Sequence, residues 1–147
     1  MATDFSPDPR LSADTVLLAD GPLSQLRLMD DARFPWLVLV PRVAGAEEWI
    51  DLDGGAQRQL LAEVNLAGRL LRSLGAVHKL NVGALGNIVR QLHVHVVARS
   101  EADAAWPGPV WGSGPRVPYG AQQRDALVSS LRNRLDTVIA DTTRFPE

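Results

Sequence analysis

Gln91-Leu92-His93-Val94-His95-Val96-Val97-Ala98-Arg99 sets two of the chain's three histidines two residues apart in an alternating apolar stretch. Side chains alternate between the faces of a β-strand. The pattern therefore predicts a strand over 91–99 with Gln91, His93 and His95 on one face and Leu92, Val94 and Val96 on the other. Residues two apart on a strand are about 6.5 Å from each other. Imidazoles at that spacing can reach neighbouring oxygens of one phosphate, or share a metal ion. A polar face turned to water is a third reading, although such faces usually carry Lys, Glu, Thr or Arg. The metal reading lacks further ligands: there is no cysteine, the remaining histidine is His78, and no carboxylate stands nearby at ligand spacing.

Upstream, Asp14 to Asp20 reads as a short strand closed by Gly21-Pro22, and Ser24 to Met29 alternates as a half-buried strand. Trp36 to Val40 is a continuous apolar run of the kind buried on both sides, and Asp30 to Pro35 is the polar connection before it. Asp51-Leu52-Asp53 supplies caps for a helix in which Leu60, Val64, Ala67, Leu71 and Leu74 recur at helical spacing, with Gly75 as its stop. Arg58, Glu63, Arg69 and Arg72 form its expected solvated face, so this helix is read as a cover for the sheet. Lys79 to Ala84 is the next strand and Leu85 to Arg90 the turn into the histidine strand. The four prolines from Pro107 to Pro118 exclude a regular helix or a central strand there. Leu127, Leu131, Leu135 and Val138 mark a last amphipathic helix over about 120–140. Strands, a helix, strands and a helix in that order give an antiparallel sheet with helices on one face, the α+β class.

The 147 residues suit one domain, with its core over about 10–112. Apolar residues at 46% and charged residues at 22% are ordinary globular values. A net charge of −2 argues against a sequence-independent grip on nucleic acid, so any polyphosphate must be held locally. No segment approaches the length of a membrane span, and Met1 to Pro7 lacks the basic and apolar regions of a secretion signal; the expected setting is the cytoplasm.

The stretch 91–99 resembles the signature of the histidine triad (HIT) superfamily, His-φ-His-φ-His-φ-φ with φ hydrophobic, with Gln91 in the first triad position. Leu80-Asn81-Val82-Gly83 is similar to the φ-Asn-φ-Gly strand that precedes the signature in bacterial members. Met29 to Arg42 resembles their first hairpin, whose second strand ends in Pro-Lys or Pro-Arg. The resemblance implies a five-stranded antiparallel sheet with two main helices, a nucleotide bound against the exposed sheet face, and a homodimer. It implies that His93 is the nucleophile and that His95 contacts phosphate oxygens or assists the leaving group. An imidazole nitrogen with a free lone pair attacks phosphorus to give a nucleotidyl-histidine that water or another acceptor resolves. Gln91 cannot exchange a proton near neutrality, but its amide donates and accepts hydrogen bonds and is read as orienting the network.

Between the last two strands the family carries a longer Gly-Gln-Thr or Gly-Gln-Ser loop. Here Gly86-Asn87 matches the Gly-Gln pair, with Ile88 where the hydroxyl would follow. Gly86 lets the backbone approach an anion and Asn87 replaces part of the lost contact. Arg90 is read as a phosphate contact or a solvated side chain, and Asn81 as facing substrate or bonding a strand edge. The family's ribose-binding acid maps onto Asp30 or Asp31, which are equally readable as turn formers. Leu26, Leu28 and Phe34 are candidates for a base slot or for core. Trp106 and Trp111 suit base stacking or a dimer interface. His78 is read as structural.

The activity expected on this basis is hydrolysis or nucleotidyl transfer at the α-phosphate of a nucleoside phosphoramidate, dinucleoside polyphosphate or related nucleotide, without a cofactor. Two alternatives remain: a non-catalytic nucleotide-binding or regulatory protein on the same fold, and a metal-binding module.

Overall fold

The computed structural model describes residues 5–142. The elements run α1 (Pro9–Asp14), β1 (Thr15–Asp20), β2 (Ser24–Met29), β3 (Trp36–Pro41), a 3-10 turn (Trp49–Asp51), α2 (Gly54–Arg72), β4 (Lys79–Gly83), β5 (Val94–Arg99) and α3 (Ala121–Thr142). The five strands form one antiparallel sheet in the order β1-β2-β3-β5-β4. The α+β expectation and its two main helices are met.

Local chemistry explains the helix starts. Asp53 caps α2, its carboxylate accepting Ala56 N–H at 2.8 Å. Leu60, Val64, Ala67 and Leu71 then turn one stripe into the core, while Glu63, expected on the solvated face, is 5% exposed. Its carboxylate accepts Leu23 N–H and Ser24 N–H at the β1–β2 turn, so α2 pins that hairpin by a charge-assisted contact. The sequence reading placed no helix at residues 9–14. The signal was present in Asp8-Pro9, a capping carboxylate followed by proline at the first helical position. Because α1 takes Asp14, β1 opens at Thr15 rather than at Asp14.

The histidine strand is shorter than expected. Pairing with β3 stops at Leu39 opposite Val94, and pairing with β4 stops at Gly83 opposite His95. Upstream, Leu92 N–H bonds the Ala46 carbonyl beyond the end of β3, at 2.9 Å. Gln91, Leu92 and His93 therefore form an irregular lead-in, and a ladder position exists only from Val94 onward.

Two apolar clusters flank the sheet. Leu37 and Leu39 of β3 with Val94, Val96 and Ala98 of β5 face α2 and α3. Trp36, Val38 and Val40 with Val97 pack on the opposite side against Leu11 of α1 and Val110 of the proline-rich segment. The sheet face expected to lie open is thus largely roofed. His93 and His95 sit beneath that roof at 7% and 6% exposure. Burial there makes their hydrogen-bond partners decisive, because an unpaired polar atom in such a place is costly.

Candidate active site

The lead-in and the strand hold the two imidazoles by different means. The Nδ1 of His93 lies 2.7 Å from the Gln91 carbonyl oxygen. A carbonyl only accepts, so in the neutral ring Nδ1 is the donor and Nε2 keeps its lone pair. The ring of His95 lies edge-on to that of His93, with centroids 4.9 Å apart. Its Nδ1 accepts the indole N–H of Trp36 at 3.0 Å. Trp36 and Trp111 stand edge-on to the His95 ring at 5.5 and 5.6 Å. Burial, reinforced by the neighbouring His93, pushes the pKa of His95 down to about 3, so the ring is neutral at pH 7.

Both rings border a cavity of about 560 Å³. Trp36, Trp111, Met29 and Val110 give it apolar walls, the 85–89 loop closes one side, and Arg10, Arg33 and Arg116 reach its edge. Each arginine already faces a carboxylate: Arg10 to Asp8 at 3.1 Å, Arg33 to Asp31 at 2.8 Å, and Arg116 to Asp14 at 3.3 Å and Asp30 at 3.5 Å. Asp31 is buried, which by itself would raise its pKa. The Arg33 guanidinium and the N–H groups of Arg33 and Val117 outweigh burial and hold it below the ordinary value. Trp111 Nε1 is buried without an acceptor among the described residues. Among the described residues no group of three or more His, Asp or Glu side chains is placed to hold a metal ion.

Of the residues singled out in the sequence, His93, His95, Gly86, Asn87, Asp31 and Trp111 come together around this cavity. Gln91 lies behind it. Its carbonyl orients His93, and its side-chain oxygen accepts Asp8 N–H at 2.7 Å, tying the entry of α1 to the histidine lead-in. The remaining candidates are drawn elsewhere by stronger partners. Asn81 accepts from the Arg99 guanidinium at 2.9 Å, and Trp106 stacks with the same group at 5.7 Å, so both serve a buried arginine and do not border the cavity. Arg90 forms an exposed pair with Glu47 at 3.0 Å. Asp30 accepts Tyr119 N–H at 2.9 Å, while Asp31, which does line the cavity, engages both oxygens with Arg33. Leu26 and Leu28 face the helix layer on the far side of the sheet; Phe34 is fully buried on the histidine side.

Trp36, Met29 and the three arginines were not anticipated here. Trp36 opposes Val97 in the β3–β5 pairing and Val38 opposes His95, so Trp36 is the diagonal same-face neighbour of His95. Only the register reveals that.

Gly86 adopts φ +69°, a left-handed conformation that costs a side chain strain. A Cβ there would meet nothing closer than the Val89 carbonyl oxygen at 3.5 Å, so the expected penalty is conformational. Gly86→Ala should lower stability by about 1–2 kcal/mol, measured by urea unfolding.

A five-stranded antiparallel sheet presenting a His-φ-His pair to a partly apolar cavity defines the histidine triad class of protein. The HIT domain family matches residues 10–102, and the chain belongs to that family. Three solved histidine triad proteins are similar to it over nearly their whole lengths. The one from Bradyrhizobium japonicum is 44% identical, with a TM-score of 0.85 over 89% of this chain and 98% of that one. The one from Sinorhizobium meliloti is 43% identical, with a TM-score of 0.85 over 88% and 96%. The one from Marinobacter aquaeolei is 41% identical, with a TM-score of 0.86 over 91% and 98%. Among curated proteins, none matches the chain.

Proposed function

We propose that the protein is a nucleotide hydrolase or nucleotidyl transferase that works through a covalent nucleotidyl-histidine at His93. The observation carrying this reading is the Gln91 carbonyl on His93 Nδ1, which leaves Nε2 with its lone pair beside the cavity. In the first step Nε2 attacks the α-phosphorus as the bond to the leaving group breaks, and the departing electron pair leaves with that group. In the second, water or another acceptor attacks the same phosphorus and releases its proton to solvent, while the P–N bond to His93 breaks and restores the lone pair.

His95 contacts the phosphate oxygens. Gly86 and Asn87 border the same cavity and supply a backbone N–H and an amide to that phosphate, and the apolar walls take the base. Asp31 is the carboxylate positioned for a ribose, and Arg33 must yield one of its contacts for that. The protein acts as a homodimer in the cytoplasm: β4 is a sheet edge whose Val82 is 53% exposed, a surface suited to a second copy. No described helix is long and apolar enough to cross a membrane.

The test is incubation with adenosine phosphoramidate, a dinucleoside polyphosphate and adenylyl sulfate in turn, followed by intact-mass analysis after rapid quenching above neutral pH. The expected result is turnover of at least one compound and an acid-labile adduct of one nucleotidyl group. Tight nucleotide binding with neither turnover nor adduct would instead make the chain a non-catalytic nucleotide-binding protein on this fold.

A further inference from the structure

We propose that Trp36 is a positioning residue for His95: its indole N–H holds the imidazole as the neutral Nε2–H tautomer, making His95 a fixed hydrogen-bond donor that carries no leaving-group proton. The inference rests on the reaction proposed above for the identity of the phosphate, but the state of the ring follows from geometry alone. An indole nitrogen can only donate, so the His95 Nδ1 that it approaches at 3.0 Å must accept. A neutral imidazole that accepts at Nδ1 carries its hydrogen on Nε2.

The two imidazoles are therefore set to opposite polarity by opposite partners. A backbone carbonyl on His93 Nδ1 makes the far nitrogen of that ring a lone pair; an indole N–H on His95 Nδ1 makes its far nitrogen a donor. One ring can attack phosphorus and the other can hold a phosphoryl oxygen. Neither role needs a proton to be moved by His95. Protonating His95 would set an Nδ1–H against the indole N–H, and burial beside His93, the titratable group next to it, opposes the charged ring in the same sense. A leaving group that needs a proton must then take it from a donor other than His95.

Trp36 is itself held against turning. It is 7% exposed, its strand position is paired with Val97, and its ring meets Phe34 and Trp111 edge-on at 6.4 and 6.3 Å. A donor so confined selects one tautomer in the free protein, before any ligand arrives.

The deciding measurement is long-range 1H–15N correlation on the uniformly labelled full chain, which reports the protonation of each ring nitrogen. His95 is expected to show a pyridine-type Nδ1 and a pyrrole-type Nε2, unchanged from about pH 5 to pH 9, because a neutral buried ring does not titrate there. The reverse tautomer, or a titration inside that range, overturns the proposal without any variant having to fold. Trp36→Phe keeps an aromatic ring and removes the donor. It should give a mixture of His95 tautomers, a kcat reduced about five- to tenfold with KM within about twofold, and a new ionisation in the kcat–pH profile. A folded Trp36→Phe protein with the parental tautomer and parental kcat also overturns it. Absence of a His93 adduct in the parent protein would defeat the proposed reaction instead, while the tautomer readout would still decide the role of Trp36.

Discussion

Replacing His93 by alanine is expected to abolish the nucleotidyl adduct and to reduce turnover on the order of 10⁴-fold or more, the scale seen when a covalent nucleophile is removed. The substitution deletes the one ring nitrogen whose partner, the Gln91 carbonyl, forces a free lone pair toward the cavity. It leaves the Trp36–His95 hydrogen bond and the cavity walls in place, so nucleotide affinity should fall far less than turnover. Stability should fall by about 1–3 kcal/mol, because the Gln91 carbonyl loses its partner in a partly buried place. Intact-mass analysis, single-turnover kinetics and equilibrium binding of a nucleoside monophosphate separate these effects. Turnover within tenfold of the parent, or an adduct of undiminished yield on another residue, would remove His93 from the nucleophile's role. Free imidazole restoring part of the turnover to His93→Gly would tie the loss to the missing ring.

The second large effect concerns stability. Asp103→Ala is expected to destabilise the protein by about 3–5 kcal/mol, because it leaves a buried guanidinium without its counter-charge. Arg99 is 2% exposed, and Asp103 meets it in a fork of 2.8 and 3.0 Å. The same carboxylate accepts the N–H groups of Ser100, Ala105 and Trp106, so it also fixes the turn leaving β5. Asn81, Phe34 and Trp106 complete the surroundings of the guanidinium. Urea unfolding checks the size of the loss, and a loss below about 1 kcal/mol would show the pair to be ornamental. Replacing both partners by leucine-sized apolar residues should recover only the part of the loss that comes from the unpaired charge, because the N–H groups of Ser100, Ala105 and Trp106 would still lack their acceptor.

The pH dependence of that difference has a definite sign. The Arg99 fork, aided by the turn N–H groups, holds the Asp103 carboxyl well below the usual carboxylate range. Its folded pKa is thus lower than its unfolded value of about 3.9. The stabilisation is fully present above the unfolded value and is lost as pH falls through it toward the folded one. The gap between parent and Asp103→Ala should therefore be constant near neutrality and narrow below about pH 4.

Asp103 and Arg99 also explain why some sequence expectations missed. Asn81 and Trp106 have the side chains that a nucleotide site would use, and nothing in their neighbourhood says that a guanidinium from another strand will claim them. The same holds for Asp30, whose carboxylate is claimed by Tyr119 N–H, 89 residues further along the chain. A polar side chain goes to its best partner in three dimensions, and that partner is not written in the spacing around it.

What the sequence determined by itself was periodic or local. Alternation placed Val94 and Val96 against the helices and His95 on the other face. Apolar recurrence placed the α2 stripe, Asp53 marked its start, and the order of elements implied the α+β class. The two histidines and Gly86-Asn87, read from one short stretch and the loop before it, do border one cavity. Tertiary structure alone decided how far β5 extends, because a strand ends where its neighbours stop offering hydrogen bonds. It also roofed the histidine face with α1 and the proline-rich segment, and brought Trp36 onto a ring 59 residues away. Backbone periodicity is a property of consecutive residues, so it can be read from them. The protonation state of a buried imidazole belongs to whatever the fold packs against it, and only strand register and burial supply that.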